Sequence, residues 1–154
     1  SLTGRVVYST LHANTTIGGV ARLIDLNIER GLIAYAVRGV IAQRLVRKIC
    51  EHCREPDPSP RAEYINYLGV QGMTINYQRG AGCAECAGTG YRGRIGVFDV
   101  LVFDDELRAM IVDKASMNDL QTYAERTGMT TLRQNAINLV MQGVTTVDEA
   151  IRVI

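Results

Sequence analysis

The sequence predicts an α/β fold, and three observations predict it. A β-branched apolar run at Arg5–Leu11 passes into a stretch with helical spacing. Two Cys-x-x-Cys pairs then interrupt the middle of the chain, and three helix-capping signals follow one another through its C-terminal third.

Arg5-Val6-Val7-Tyr8-Ser9-Thr10-Leu11 fits a strand buried on both faces in a parallel sheet. Such a strand needs sheet neighbours that few other segments here supply, which implies the C-terminal part of something larger. The polar stretch Leu11-His12-Ala13-Asn14-Thr15-Thr16 leads into a helix with Ile17, Val20, Ala21 and Ile24 on one face. Ligand sites in open α/β sheets collect at such strand ends, so His12, Asn14 and the nearby hydroxyls are candidates for phosphate contact. Taken alone, His12 reads more readily as a polar residue capping a loop. A second helix is expected from about Glu29 to Lys48, apolar at Leu32, Ile33, Ala36, Val37, Val40, Ile41 and Leu45 and packed against a sheet. Arg47 and Lys48 at its end complement the helix dipole.

The cysteines fall as Cys50-Glu-His-Cys53 and Cys83-Ala-Glu-Cys86. A Cys-x-x-Cys turn points two sulfurs at one site, and two such turns complete a closed tetrahedral shell for Zn²⁺. Glycines at Gly82, Gly88 and Gly90 flank the second turn, where the backbone must fold tightly around the ion. Redox thiols or two disulfides are the alternatives; the absence of a secretory signal favours metal. Four thiolates leave no position for water, so the role is structural. His52, inside the first turn, reads as a solvent-facing residue.

Between the pairs, Pro56, Pro58 and Pro60 space a stiff loop before an amphipathic helix over Arg61–Leu68, and Met73–Tyr77 is expected as a short strand. Gly90-Tyr91-Arg92-Gly93-Arg94-Ile95-Gly96 is a glycine-rich basic turn feeding a strand over Val97–Phe103. Four helices follow, Asp104–Lys114, Met117–Arg126, Leu132–Gln142 and Val147–Val153, started by Asp104 or Asp105, Ser116 and Thr146 and read as a small bundle. The expected organisation is therefore 1–49, the end of an α/β core; 50–90, a tetracysteine subdomain; and 91–154, a strand with helices.

Charged residues make up 21% of the 154, and the formal net charge is +1. That balance gives no reason to expect nucleic acid as a partner. No apolar run reaches the 18 or so residues of a membrane span, so membrane contact is expected to be peripheral.

Leu2-Thr3-Gly4-Arg5-Val6-Val7-Tyr8-Ser9-Thr10-Leu11-His12-Ala13-Asn14, continued by Arg22-Leu23, resembles the His-box region of the type II secretion and type IV pilus-assembly ATPases, the secretion traffic ATPase family. Gly39–Arg47 resembles the next signature of that family, followed by the tetracysteine pairs and by Gly90–Phe98. The resemblance implies the C-terminal portion of a RecA-like P-loop ATPase core with a zinc subdomain. It implies hexameric rings on the cytoplasmic face of a bacterial inner membrane, recruited by secretion or pilus platform proteins and driven by Mg²⁺-ATP. In that family the His-box histidine approaches the terminal phosphate of ATP, which carries over to His12, with Arg22 from the same box.

Ala13 and Thr15 stand where many members have Thr and Asp, Glu51 replaces a common proline, and Asp99 replaces the usual Glu. No G-x-x-x-x-G-K-[ST] stretch is present in these 154 residues, so the segment is expected to be inactive by itself. Retraction-type ATPases of the same superfamily are similar in the His box but lack the four cysteines. Cys83-x-x-Cys86-x-Gly88-x-Gly90 also resembles one zinc knuckle of a DnaJ-type chaperone, which keeps a zinc-stabilised interaction module without nucleotide chemistry as the alternative.

Overall fold

The structure, a computed structural model, describes residues 4–72 and 74–154. Leu2 and Thr3 of the His-box match, and Met73 of the expected strand, lie outside the described residues. The elements run α1 (Thr16–Asp25), α2 (Arg30–Ala36), β1 (Gly39–Ile49), β2 (Arg54–Pro56), α3 (Ala62–Leu68), β3 (Gln78–Gly80), β4 (Tyr91–Val102), α4 (Asp105–Val112), α5 (Met117–Arg126), α6 (Leu132–Met141) and α7 (Val147–Val153). β1 pairs with β4, and β2 with β3. The chain divides into two compact units, Ser1–Ala42 with Asp99–Thr131 and Gln43–Phe98 with Leu132–Ile154.

In the first unit, Ile17 and Val20 of α1, Ile33 of α2, Leu107 and Ile111 of α4 and Leu120 and Tyr123 of α5 close around Leu101 and Phe103. The caps fall where short polar side chains precede apolar spacing. Thr15 accepts from the amide of Gly18 at 3.0 Å, Asp104 from that of Leu107 at 2.9 Å and Ser116 from that of Asp119 at 3.1 Å. The Asp99 carboxylate anchors the start of α1, accepting from the Thr16 amide at 3.1 Å and from its hydroxyl at 3.0 Å.

The second unit buries Val46, Leu68, Val70, Val97, Ala136, Val140, Val147 and Ala150 together. Gly69, at φ +69°, closes α3 in the left-handed conformation that glycine adopts without strain. β2 and β3 are antiparallel, with Arg54 opposite Gly80 and Pro56 opposite Gln78.

Four expectations are corrected. The helix over Glu29–Lys48 stops at Ala36, because Val37 turns extended (ψ 130°) and Gly39 begins the eleven-residue strand β1. A Cβ at Gly39 would stand 3.0 Å from the Leu101 carbonyl, so the close approach of β4 is what glycine permits there. Cross-strand pairing thus overrides the wide apolar arc, and Arg47 sits on a strand rather than at a helix end.

The run Arg5–Leu11 forms neither strand nor helix, and Val6 and Tyr8 are 80% and 94% exposed. No described strand pairs with its backbone, and an isolated strand has no partner for its hydrogen bonds. The strand expected over Met73–Tyr77 forms later, as β3, while β4 begins at Tyr91 and absorbs the glycine-rich turn. The four C-terminal helices form near the expected bounds, but α4 and α5 serve the first core and α6 and α7 the second, so they are not one bundle.

Candidate metal centre

Both Cys-x-x-Cys pairs fold into the same short turn. The Cys53 amide donates to the Cys50 carbonyl and the Cys86 amide to the Cys83 carbonyl, each at 3.3 Å. That turn brings the sulfurs of residues i and i+3 to one side. Cys50 follows the end of β1 directly, and its amide donates to the Gly90 carbonyl at 2.9 Å, which ties the first turn to the second. The crossing is tight enough to require glycine: a Cβ at Gly80 would stand 2.1 Å from the Gly90 carbonyl oxygen.

The sulfurs of Cys50 and Cys83 are 3.8 Å apart, those of Cys53 and Cys86 3.9 Å, and those of Cys83 and Cys86 3.7 Å. All four lie within 4.8 Å of one another. Four ligands at about 2.3 Å from a tetrahedral ion are about 3.8 Å from each other, so the cluster has the size of a metal shell. A disulfide needs about 2.05 Å, and all four cysteines are free at these wider separations.

Backbone amides support negative charge on the sulfurs. Gly82 donates to Cys53 Sγ at 3.3 Å, and Cys83 and Gly90 both donate to Cys86 Sγ at 3.2 Å. The Cys83 amide draws the Cys86 thiol down to about 6, whereas burial pushes Cys53 up to about 12. Sulfurs so close cannot all ionise without a cation at the centre. Cys50 and Cys86 are buried, Cys53 and Cys83 half-buried, and His52 is exposed, apart from the sulfur cluster. The arrangement is a closed, four-thiolate cage placed to bind a metal ion.

His12 and Arg22 belong to the first unit. His12 is exposed in the irregular segment before α1, and Arg22 is exposed on the last turn of α1. Neither side chain holds an ion pair or hydrogen bond among the described residues.

A polar cluster in the second unit went unread in the sequence. Glu149, 1% exposed, accepts from the Arg47 amide at 2.9 Å, from Arg47 Nη2 at 2.7 Å and from Arg152 Nη2 at 2.6 Å. Burial pushes its carboxyl up, but the hydrogen bonds from Arg152 and Arg47 outweigh this and hold it at about 2. Thr146 caps α7 by accepting from the Glu149 amide at 3.1 Å, while the Glu149 carboxylate serves the arginines. The available signal was its position between Val147 and Ala150 on the apolar face of α7.

Fold and cluster define an α/β protein whose four clustered cysteines are placed to bind a metal ion. The chain belongs to the type II/IV secretion system protein family, whose model matches residues 1–152. It is 43% identical over 154 residues to the type II secretion system protein E of Pseudomonas aeruginosa, covering 99% of this chain and 30% of the relative. It is 40% identical over 157 residues to the type IV pilus assembly ATPase PilB of Thermus thermophilus, covering 98% of this chain and 17% of that protein. The chain therefore spans less than a third of these relatives. The crystal structure of the pilus retraction motor PilT with bound ADP matches with a TM-score of 0.59 at 22% identity, covering 99% of this chain and 33% of that one. That likeness concerns the fold.

Proposed function

We propose that this chain is the C-terminal, zinc-holding portion of an ATPase that powers type II secretion pseudopilus assembly or type IV pilus assembly. The observation that carries the proposal is the family match over 1–152 together with four cysteines at metal-shell spacing. Names of relatives over the whole chain, a secretion protein E and a pilus assembly ATPase, support the same reading. The tetracysteine cluster supports the assembly side of the superfamily, since the retraction-type members that this chain resembles in the His box lack the four cysteines.

Zn²⁺ is the ion that suits four thiolates in a closed shell, and its binding contributes about 10–16 kcal/mol to the folding of such modules. Cys50, Cys53, Cys83 and Cys86 would hold it. The proposed working parts are 1–49 for the nucleotide side, 50–90 for the zinc subdomain and 91–154 for the helical remainder.

Mg²⁺-ATP would supply the reacting phosphate and the energy of its transfer to water. His12 and Arg22 would face the phosphates in the whole protein, where an imidazole and a guanidinium stabilise charge on transferring oxygens. Both side chains are exposed and hold no hydrogen bond or ion pair among the described residues, which leaves them available. A hexameric ring on the cytoplasmic face of the inner membrane, docked on a platform protein, completes the proposal. None of the described helices is long and apolar enough to cross a membrane, which suits a peripheral position.

The test is ATP hydrolysis by the full-length protein and by His12→Ala. Loss of turnover with retained zinc supports the motor; unchanged turnover favours a zinc-stabilised interaction module without a nucleotide role for this segment.

A further inference from the structure

Arg47, Arg94, Arg152 and Leu45 line an open concavity of about 500 Å³ in the second unit. Glu149 is the one acid among the groups that hold these arginines, and its oxygens are taken up by Arg47 and Arg152. Three guanidiniums against one carboxylate leave a net charge of +2 there. Arg94 is exposed and has no ion pair among the described residues.

The guanidiniums of Arg47 and Arg152 are also held in place. Arg47 stacks on the Tyr91 ring, 4.2 Å from its centroid, and the Tyr91 hydroxyl is 2.7 Å from that of Thr146. Arg152 Nη2 reaches the Leu45 carbonyl at 3.4 Å. Fixing these rotamers in advance lowers the entropy lost when an anion arrives. A tetrahedral oxyanion offers acceptors in several directions at once, which suits three guanidiniums that line one concavity.

We propose that Arg47, Arg94 and Arg152 form a binding site for a phosphate group, with side chains other than those of the cysteine cage. The ligand is a phosphate dianion or a phosphate ester, free or presented as a lipid headgroup. Arg94 is the discriminating residue, because Arg47 and Arg152 also hold Glu149.

The experiment uses the zinc-loaded full-length protein with ADP and Mg²⁺ saturating, so that the nucleotide pocket does not report. Inorganic phosphate is titrated calorimetrically into the parent protein, Arg94→Gln, Arg94→Lys and Arg92→Gln, and the same proteins are floated with phosphatidylglycerol or phosphatidylcholine vesicles. Arg92 lies outside the concavity and pairs with Glu85 at 2.7 Å. Arg94→Gln is expected to weaken phosphate binding about tenfold, Arg94→Lys less, and Arg92→Gln hardly at all. That pattern identifies a free phosphate ligand. Arg94-dependent flotation with phosphatidylglycerol, without Arg94-dependent phosphate uptake, identifies a lipid headgroup and also supports the site. Binding indifferent to Arg94 in both assays, or lost equally in Arg92→Gln, overturns it. Arg94→Gln should melt within about 2 °C of the parent, since exposed substitutions of this kind cost little.

Discussion

Arg47 on β1 and Glu149 on α7 are 102 residues apart in the chain, yet Nη2 of one lies 2.7 Å from Oε2 of the other. The carboxylate side chain is fully buried, while 46% of the arginine side chain remains exposed. One long-range pair therefore locks the last helix to the strand that delivers Cys50. The Thr145 hydroxyl strengthens the joint, donating to the Arg47 carbonyl at 2.8 Å.

Glu149→Gln is predicted to destabilise the second unit by about 3–5 kcal/mol, because the isosteric amide leaves two guanidiniums facing a group that no longer attracts them. Arg152→Gln, at a side chain 55% exposed, should cost about 1 kcal/mol. Urea unfolding followed by circular dichroism checks both, and equal costs would contradict the assignment of Glu149 as the buried partner.

The same carboxylate gives a pH dependence. Its carboxyl is held at about 2 in the fold against 4.5 ordinarily, so its contribution is complete above pH 4.5 and disappears as pH falls toward 2. The stability difference between the parent protein and Glu149→Gln should shrink by about 3 kcal/mol over that window. Acid also protonates the thiolates, which is why the difference between the two proteins is the quantity to follow. A difference that stays flat down to pH 2.5 would contradict the account.

Gly80→Ala tests the crossing beneath the metal cage. Its Cβ would lie 2.1 Å from a backbone oxygen that cannot rotate away. A loss on the order of 3 kcal/mol, with weakened metal retention, is expected. Gly72→Ala, whose Cβ meets nothing within 4 Å, is the comparison; its φ of +77° alone should cost about 1 kcal/mol. Competition with a zinc-binding dye reads retention, and equal retention in the two variants would sink the argument.

His12→Ala in the full-length protein should lower kcat by about 10²- to 10³-fold without changing the melting temperature. Its side chain is exposed and unpartnered here, so the fold loses nothing with it. A shifted melting temperature with normal turnover would reverse the roles assigned.

What the sequence discloses depends on how local each determinant is. Cys50, Cys53, Cys83 and Cys86 are legible because each pair is set by a spacing of three, and the ion they suit has a fixed ligand number. The caps at Asp104, Ser116 and Thr146 are legible for the same reason. Gly39–Ile49 misleads: Val40, Ile41, Leu45 and Val46 fit a helical arc, and only the partner strand at Tyr91–Val102 makes them a ladder. Glu149 escapes notice because its partner Arg47 is remote in sequence. Val6, Val7 and Tyr8 read as a buried strand from composition, but burial depends on neighbours that the described residues do not provide.

The central claim is that Cys50, Cys53, Cys83 and Cys86 form one closed zinc cage. Elemental analysis of the purified protein, with a thiol count before and after chelation, tests it most directly. About one zinc per chain is expected, with four thiols that become reactive together when the metal is removed. No metal and four thiols reactive from the outset would contradict it.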